Sequence, residues 1–127
     1  MRLARISALT FGLCLTLSGH TLAIGFSDSA APTSPDLEMQ QAKIHFNQGA
    51  FAQSAVHWME AARLYERQQQ PQQQCQALIN LSHALEQSGQ IKRAQVTLQA
   101  ALKLSGQVGD RGLTATILGR LGSASYA

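Results

Sequence analysis

The stretch 78–102 constrains the fold of this chain most strongly, because the same helical spacing occurs on both sides of Gly89. Apolar and small residues recur there at intervals of three and four, as on one face of an amphipathic helix. They are Leu78, Leu81, Ser82 and Leu85 in the first run and Ile91, Ala94, Leu98, Ala101 and Leu102 in the second. This pattern predicts a helical hairpin broken at the glycine. Ser82, Ala94 and Ala101 are expected where the two helix axes approach within about 8–10 Å, since a bulky side chain would push the helices apart.

The order of these residues resembles the tetratricopeptide repeat (TPR), a helical hairpin that normally recurs about every 34 residues. Here a shift of forty residues places Gly49 over Gly89 and Leu64 over Leu104, and four of the eight aligned pairs between these ends are identical. A second shift places the segment 117–124 over 77–84. The period resembles the longer variety of the family. The resemblance implies an all-α fold, a right-handed α-solenoid of about 2.5 stacked antiparallel hairpins.

The first 23 residues have the pattern of a secretory signal peptide. Arg2 and Arg5 precede an uncharged apolar run, Ile6 to Ser18, and small residues follow at 21–23. The run of about 13 residues is shorter than the ~20 that a membrane-spanning helix needs, so a retained anchor is the weaker alternative. We therefore expect export to the periplasm or the extracellular space.

A short linker and a helical domain are predicted after the signal peptide. Residues 24–34 are rich in Ser, Ala and Pro and lack periodicity, which predicts disorder. Ser34 and Pro35 have the pattern of a helix start, so the repeat domain is expected over 35–127. Within it, Trp58 is expected in the core, and the run 68–74, QQQPQQQ, is expected to be a polar turn in which Pro71 breaks the helix. Asp110 is expected to cap the last helix.

The charge balance excludes two classes of partner. The whole chain carries a net charge of +3, but Arg2 and Arg5 belong to the predicted signal peptide, and eight basic residues then remain beside seven acidic ones. A protein that binds nucleic acid or an anionic membrane normally has a clear basic excess. We therefore expect no nucleic acid partner, and no membrane association after signal cleavage.

Cysteine and histidine provide no evident metal or redox site. Signal cleavage removes Cys14, so Cys75 has no internal disulfide partner and is expected to be a small packing residue, with intermolecular pairing as the alternative. His45, His57 and His83 fall on three different predicted helices, without cysteine or carboxylate ligands at metal-binding spacing. No metal and no cofactor are expected.

The sequence also lacks the patterns of common enzymes. It contains no phosphate-binding loop, no Gly-x-Ser-x-Gly turn and no His-Glu-x-x-His helix. Cys75 and His83 lie about 12 Å apart along one helix at 1.5 Å per residue, which exceeds the hydrogen-bond reach of a nucleophile and its base. We therefore expect a binding protein and not an enzyme.

The TPR resemblance implies a scaffold that binds peptides or protein segments on a concave face, lined by the first helix of each hairpin. By helical position, the residues expected on this face are Met39, Lys43, Ile79, His83, Glu86, Gln87 and Ser123. Two alternatives remain, because the sequence stops within a third hairpin. The chain is then either a fragment of a larger exported protein, for example one with a caspase-like peptidase domain after the repeats, or a homodimer that pairs through an uncovered face around Leu118 and Leu121.

Overall fold

The computed structural model describes residues 33–126, so the predicted signal peptide 1–23 and most of the predicted linker 24–34 lie outside the described residues. The described part is entirely helical and confirms the all-α prediction. Its helices are α1 (Pro35–Asn47), α2 (Phe51–Arg67), α3 (Pro71–Gln87), α4 (Ile91–Val108) and α5 (Arg111–Ala124). None of these helices has the length and apolar character that a membrane span requires.

Each helix packs against the next one along the chain, and α3 also contacts α5. Two or three residues connect successive helices, and such short connections between packed helices produce antiparallel hairpins. The elements recur at the predicted interval, because α4 begins forty residues after α2 and α5 begins forty residues after α3.

Three of the connections share one hydrogen-bonding scheme. The residue at the centre of each has positive φ: 76° at Gly49, 54° at Gln69 and 79° at Gly89. In the first of them, the backbone N–H groups of Gly49 and Ala50 donate to the carbonyls of Phe46 and His45. The other two turns repeat these bonds, and all three are Schellman motifs that satisfy the last carbonyls of a helix.

Buried residues repeat at the same interval. The four buried residues of α4 each lie forty residues after a buried residue of α2. They are Ala94, Leu98, Ala101 and Ser105, and they correspond to Ser54, Trp58, Ala61 and Tyr65, four of the six buried residues of α2. Ser82, Ala94 and Ala101, the three small residues expected at helix contacts, are fully buried. Cys75 is also fully buried, and its Sγ lies 3.5 Å from the Ala101 carbonyl oxygen. It is a packing residue, as expected, and the alternative of intermolecular pairing is wrong for this folded state.

The first helix uses polar contacts where the later helices use apolar ones. Glu38 corresponds to Leu78 and is only 9 % exposed. Its carboxylate lies 2.7 Å from Nδ1 of His57 on α2, so a hydrogen bond replaces an apolar contact. The Tyr65 hydroxyl donates to the Asp36 carboxylate at 2.6 Å and joins the same two helices. Burial and this bond raise the pKa of Tyr65 to about 12.

Both predicted helix caps are present, whereas the prediction for the run 68–74 needs a correction. The Ser34 hydroxyl accepts a hydrogen bond from the Asp36 N–H, and the Asp110 carboxylate accepts one from the Leu113 N–H, as expected. The run 68–74 is not a turn throughout, because Pro71 begins α3 instead of interrupting a helix. Proline fits the first helical position, since the N–H it lacks has no intrahelical partner there.

The positive φ at Gln69 gives a test of the turn geometry. Gln69→Gly should increase the free energy of unfolding by about 0.5–1 kcal/mol, because glycine adopts this backbone conformation without the penalty of a Cβ. Gly89→Ala should lower it by about 1 kcal/mol. No atom lies within 4 Å of a Cβ at Gly89, so this loss would come from the backbone and not from a clash.

Urea unfolding followed by circular dichroism would measure both changes. Gly106→Ala is the matched control, because Gly106 lies inside α4 with ordinary φ and open space around it. This variant should be slightly stabilised. An unchanged stability in both turn variants would contradict the assigned turn geometry.

Candidate functional site

A cavity of about 250 Å³ opens where α1, α2 and α3 meet. Its lining consists of Lys43, Phe46 and Asn47 from α1, Trp58 from α2, and Asn80 and His83 from α3. We call it the Lys43 cavity. The described lining combines one ammonium group, two amides and three aromatic rings, and it includes no carboxylate.

Trp58 forms the buried part of this lining. The side chain belongs to a core cluster with Ala55, Leu81 and Leu85, and the residue is 4 % exposed, which confirms its predicted core position. Its indole Nε1–H is buried and has no hydrogen-bond partner among the described residues. Most buried donors in proteins are paired, so this one is a free donor in a residue that lines the cavity.

His83 lines the Lys43 cavity and is also influenced by a charged pair, Arg120 and Glu86. Its ring lies 4.8 Å from the Phe46 ring, measured between centroids. Burial lowers the pKa of His83, and the positive charge of Arg120 on α5 lowers it further, while Glu86 raises it. Arg120 and Glu86 form an ion pair at 3.6 Å, which joins α5 to α3. These surroundings favour the neutral form of the His83 ring.

A second cavity has a volume of about 200 Å³, and its lining residue on α3 is Glu86, three positions after His83. Glu86, Ile91, Ser123 and Ala124 line it, and we call it the Ser123 cavity. Ile91 and Ala124 are its apolar lining residues, and the Glu86 carboxylate is paired with Arg120.

Of the seven residues expected on one face, two line the Lys43 cavity, two line the Ser123 cavity and three line neither. Lys43 and His83 line the Lys43 cavity, whereas Glu86 and Ser123 line the Ser123 cavity. Gln87 is exposed and lines neither cavity. Met39 is half-buried and packs against the core.

Ile79 was also expected on the peptide-binding face, but its burial does not fit that prediction. The residue is 3 % exposed and packs in a core cluster with Cys75, Leu98 and Ile117. Helical position had placed it beside His83, but α4 and α5 cover this side of α3. Leu121 is a similar case, because it packs against the same cluster and is not on an open face. Leu118, by contrast, is 52 % exposed.

Four residues of the Lys43 cavity were not among the predicted site residues: Phe46, Asn47, Trp58 and Asn80. Asn47 follows Lys43 by four positions on α1, and Asn80 precedes His83 by three on α3, so helical spacing from the two predicted residues would have found both. Trp58 gave no such signal, since its position in the apolar pattern indicated only a core residue.

Two histidines outside the two cavities pack against each other. The rings of His45 and His57 stack at 5.1 Å between centroids, and Glu38 bonds to His57. No set of three metal-binding side chains occurs in the part of the chain that the structure describes. These histidines join α1 to α2.

Comparison of the chain with protein-family models, curated proteins and solved structures gives no match.

The environment of His83 predicts its titration. NMR of the ring protons should give a midpoint below the ordinary 6.5, and Arg120→Gln should move it upward by removing a positive charge. The folded state favours the neutral ring, so this contribution to stability is complete above pH 6.5 and is lost as the pH falls below it. Lys103→Gln, at an exposed position on α4, is the charge control and should leave the midpoint unchanged. A midpoint at or above 6.5 in the unmodified chain would contradict the assigned surroundings.

Proposed function

We propose that this protein is a binding module, a scaffold of stacked TPR-like hairpins that holds an extended segment of a partner protein along α1, α3 and α5. The Lys43 cavity and the Ser123 cavity are the subsites of this surface. The proposal is for binding and not for catalysis, because the described lining of the Lys43 cavity combines a cation, amides and aromatic rings without a nucleophile held by a base.

One observation carries the proposal. Lys43 and His83 are forty residues apart, occupy equivalent positions of α1 and α3, and line the same cavity. Stacking of successive hairpins therefore brings equivalent residues together on one face, as expected for a repeat protein whose first helices form a shared surface. The cavity is also of a kind suited to ligands, with aromatic walls and a few polar groups.

The right-handed solenoid arrangement is part of the same proposal. Its support is the forty-residue recurrence of helix starts, turns and buried positions. Export through a signal peptide would place the partner in the periplasm or outside the cell, and it remains a prediction from residues 1–23.

Selection of peptides from a random displayed library against the chain would test binding. Enriched peptides should bind in fluorescence anisotropy, and Lys43→Glu should weaken them at least tenfold, because it reverses the charge at the cavity. Lys103→Glu makes the same change at an exposed position on α4 and should leave affinity unchanged. Failure to enrich any peptide, or equal losses in both variants, would contradict the proposal. Equal unfolding curves would show that neither variant acts through stability.

A homodimer is the second candidate function, and exposure of Leu118 favours it. This residue corresponds to Leu78, forty residues earlier, which packs against all three core clusters. In the described part of the chain no helix covers Leu118 in the same way, and it is 52 % exposed.

If α5 pairs with a second copy, light scattering should give twice the chain mass, and Leu118→Glu should restore the monomer. Val96→Glu is the matched control, because Val96 is 65 % exposed on α4 and lies outside this face. A monomer at about 100 µM would exclude the dimer, since stable interfaces normally bind more tightly than this. Dissociation by both variants would point to general charge repulsion.

A further inference from the structure

The first and last helices each expose a face that the central helix α3 buries. Among the described residues no helix precedes α1 and none follows α5, whereas α3 contacts α2, α4 and α5. Residues forty positions apart occupy equivalent places on α1, α3 and α5, because the turns and buried positions recur at that interval. The buried residues of α3 therefore show which positions of α1 and α5 lack a cover.

The exposed face of α1 corresponds to the side of α3 that α2 covers. Ala77 and Ala84 of α3 are fully buried in core clusters with residues of α2. The equivalent residues of α1 are the larger Leu37 and Ile44, which are 46 % and 47 % exposed. Residues seven positions apart lie on one stripe of a helix, so these two side chains form a single apolar surface. We call this surface the α1 face.

The exposed face of α5 corresponds to a different side of α3. At three positions of that side α3 is at most 3 % exposed, whereas α5 has smaller, exposed residues at the equivalent positions. The equivalent pairs are Cys75 and Ala115, Ile79 and Gly119, and Ser82 and Gly122. Leu118 lies among these small residues, and the space beside the two glycines is open. We call Ala115, Leu118, Gly119 and Gly122 the α5 face.

The two faces complement each other in size and in charge. The α1 face consists of two large side chains, whereas the small residues of the α5 face allow another helix to approach closely. Four acidic and three basic residues lie on α1 and α2. By contrast, five basic residues lie on α4 and α5, with one acidic residue, Asp110, between these helices. Opposite charge favours contact between unlike ends of two copies, and like charge disfavours α5 beside α5.

We propose that the chain self-associates through unlike ends, with the α5 face of one copy packed against the α1 face of a second copy. The contact gives each of these helices the cover that α3 has within one copy. It is heterologous, because the two surfaces in contact differ, so copies either add one after another or close into a dimer with two such contacts. This goes beyond the second candidate function, which does not name the surface that α5 contacts.

Light scattering of the chain should give at least twice the chain mass at about 100 µM, the upper range for a specific interface. Added salt should lower this mass, because it screens the attraction between the ends. Leu37→Glu and Leu118→Glu should each give the monomer, with unchanged circular dichroism, since both positions are about half-exposed. Val96→Glu adds the same charge at an exposed position outside both faces and should retain the association.

Mixing the two monomeric variants tests the contact between unlike ends directly. The Leu37→Glu chain retains its α5 face, and the Leu118→Glu chain retains its α1 face, so an equimolar mixture should recover twice the chain mass. If only the Leu118→Glu chain carries ¹⁵N, the amide shifts on mixing should lie around Leu37 and Ile44. Recovery of the mass would also show that both variants are folded.

Three results would overturn the proposal. If Leu37→Glu alone still doubled the mass, α5 would pair with α5, so the second candidate function would stand and this inference would fail. A mixture of the two variants that stayed monomeric would exclude contact between unlike ends. A monomeric unmodified chain would exclude both forms of self-association. Peptide binding at the Lys43 cavity is measured separately by peptide selection, so none of these results contradicts it.

Discussion

Close contact between small buried residues is the constraint on which the remaining structure depends. Ala42, Ser54, Ser82 and Ala94 are all fully buried. Ser54 also donates from its hydroxyl to the Ala42 carbonyl at 2.8 Å, which joins α2 to α1 without an unpaired polar group. Such contacts need small side chains, because larger ones would separate the helix axes and expose the apolar residues around them. The small residues that let two helices approach closely therefore recur every forty residues, and the remaining repeat pattern depends on them.

The position of the Lys43 cavity is a direct consequence of these contacts. Lys43 follows Ala42, and His83 follows Ser82, so each cavity residue is the immediate neighbour of a fully buried small residue. A helix turns about 100° per residue, and the side chain after a buried one therefore emerges at the edge of the contact. Because both contacts recur in register, both side chains emerge at the same edge. The packing that stabilises the chain thus also fixes the spacing of the groups that line the cavity.

The sequence predicted the elements better than the surfaces between them. Glycines, caps and small residues report local backbone geometry, so the hairpins, the Ser34 and Asp110 caps and the buried Ala94 were all predictable. Burial of Ile79 was not, because an apolar residue at a boundary position is exposed or covered according to how far the neighbouring helices extend over it. The Glu38–His57 bond was also missed, since it joins residues 19 apart that share no sequence motif.

Trp58 shows why the core and the candidate site cannot be separated in this protein. Leu98, its equivalent forty residues later, fills the corresponding position with an apolar side chain and is fully buried. Tryptophan adds ring area for packing but also a donor, and leaving a buried donor unpaired costs about 1–3 kcal/mol. Stability alone would favour another aliphatic residue at this position. The same side chain also lines the Lys43 cavity, so a substitution of Trp58 would change the core and the candidate site together.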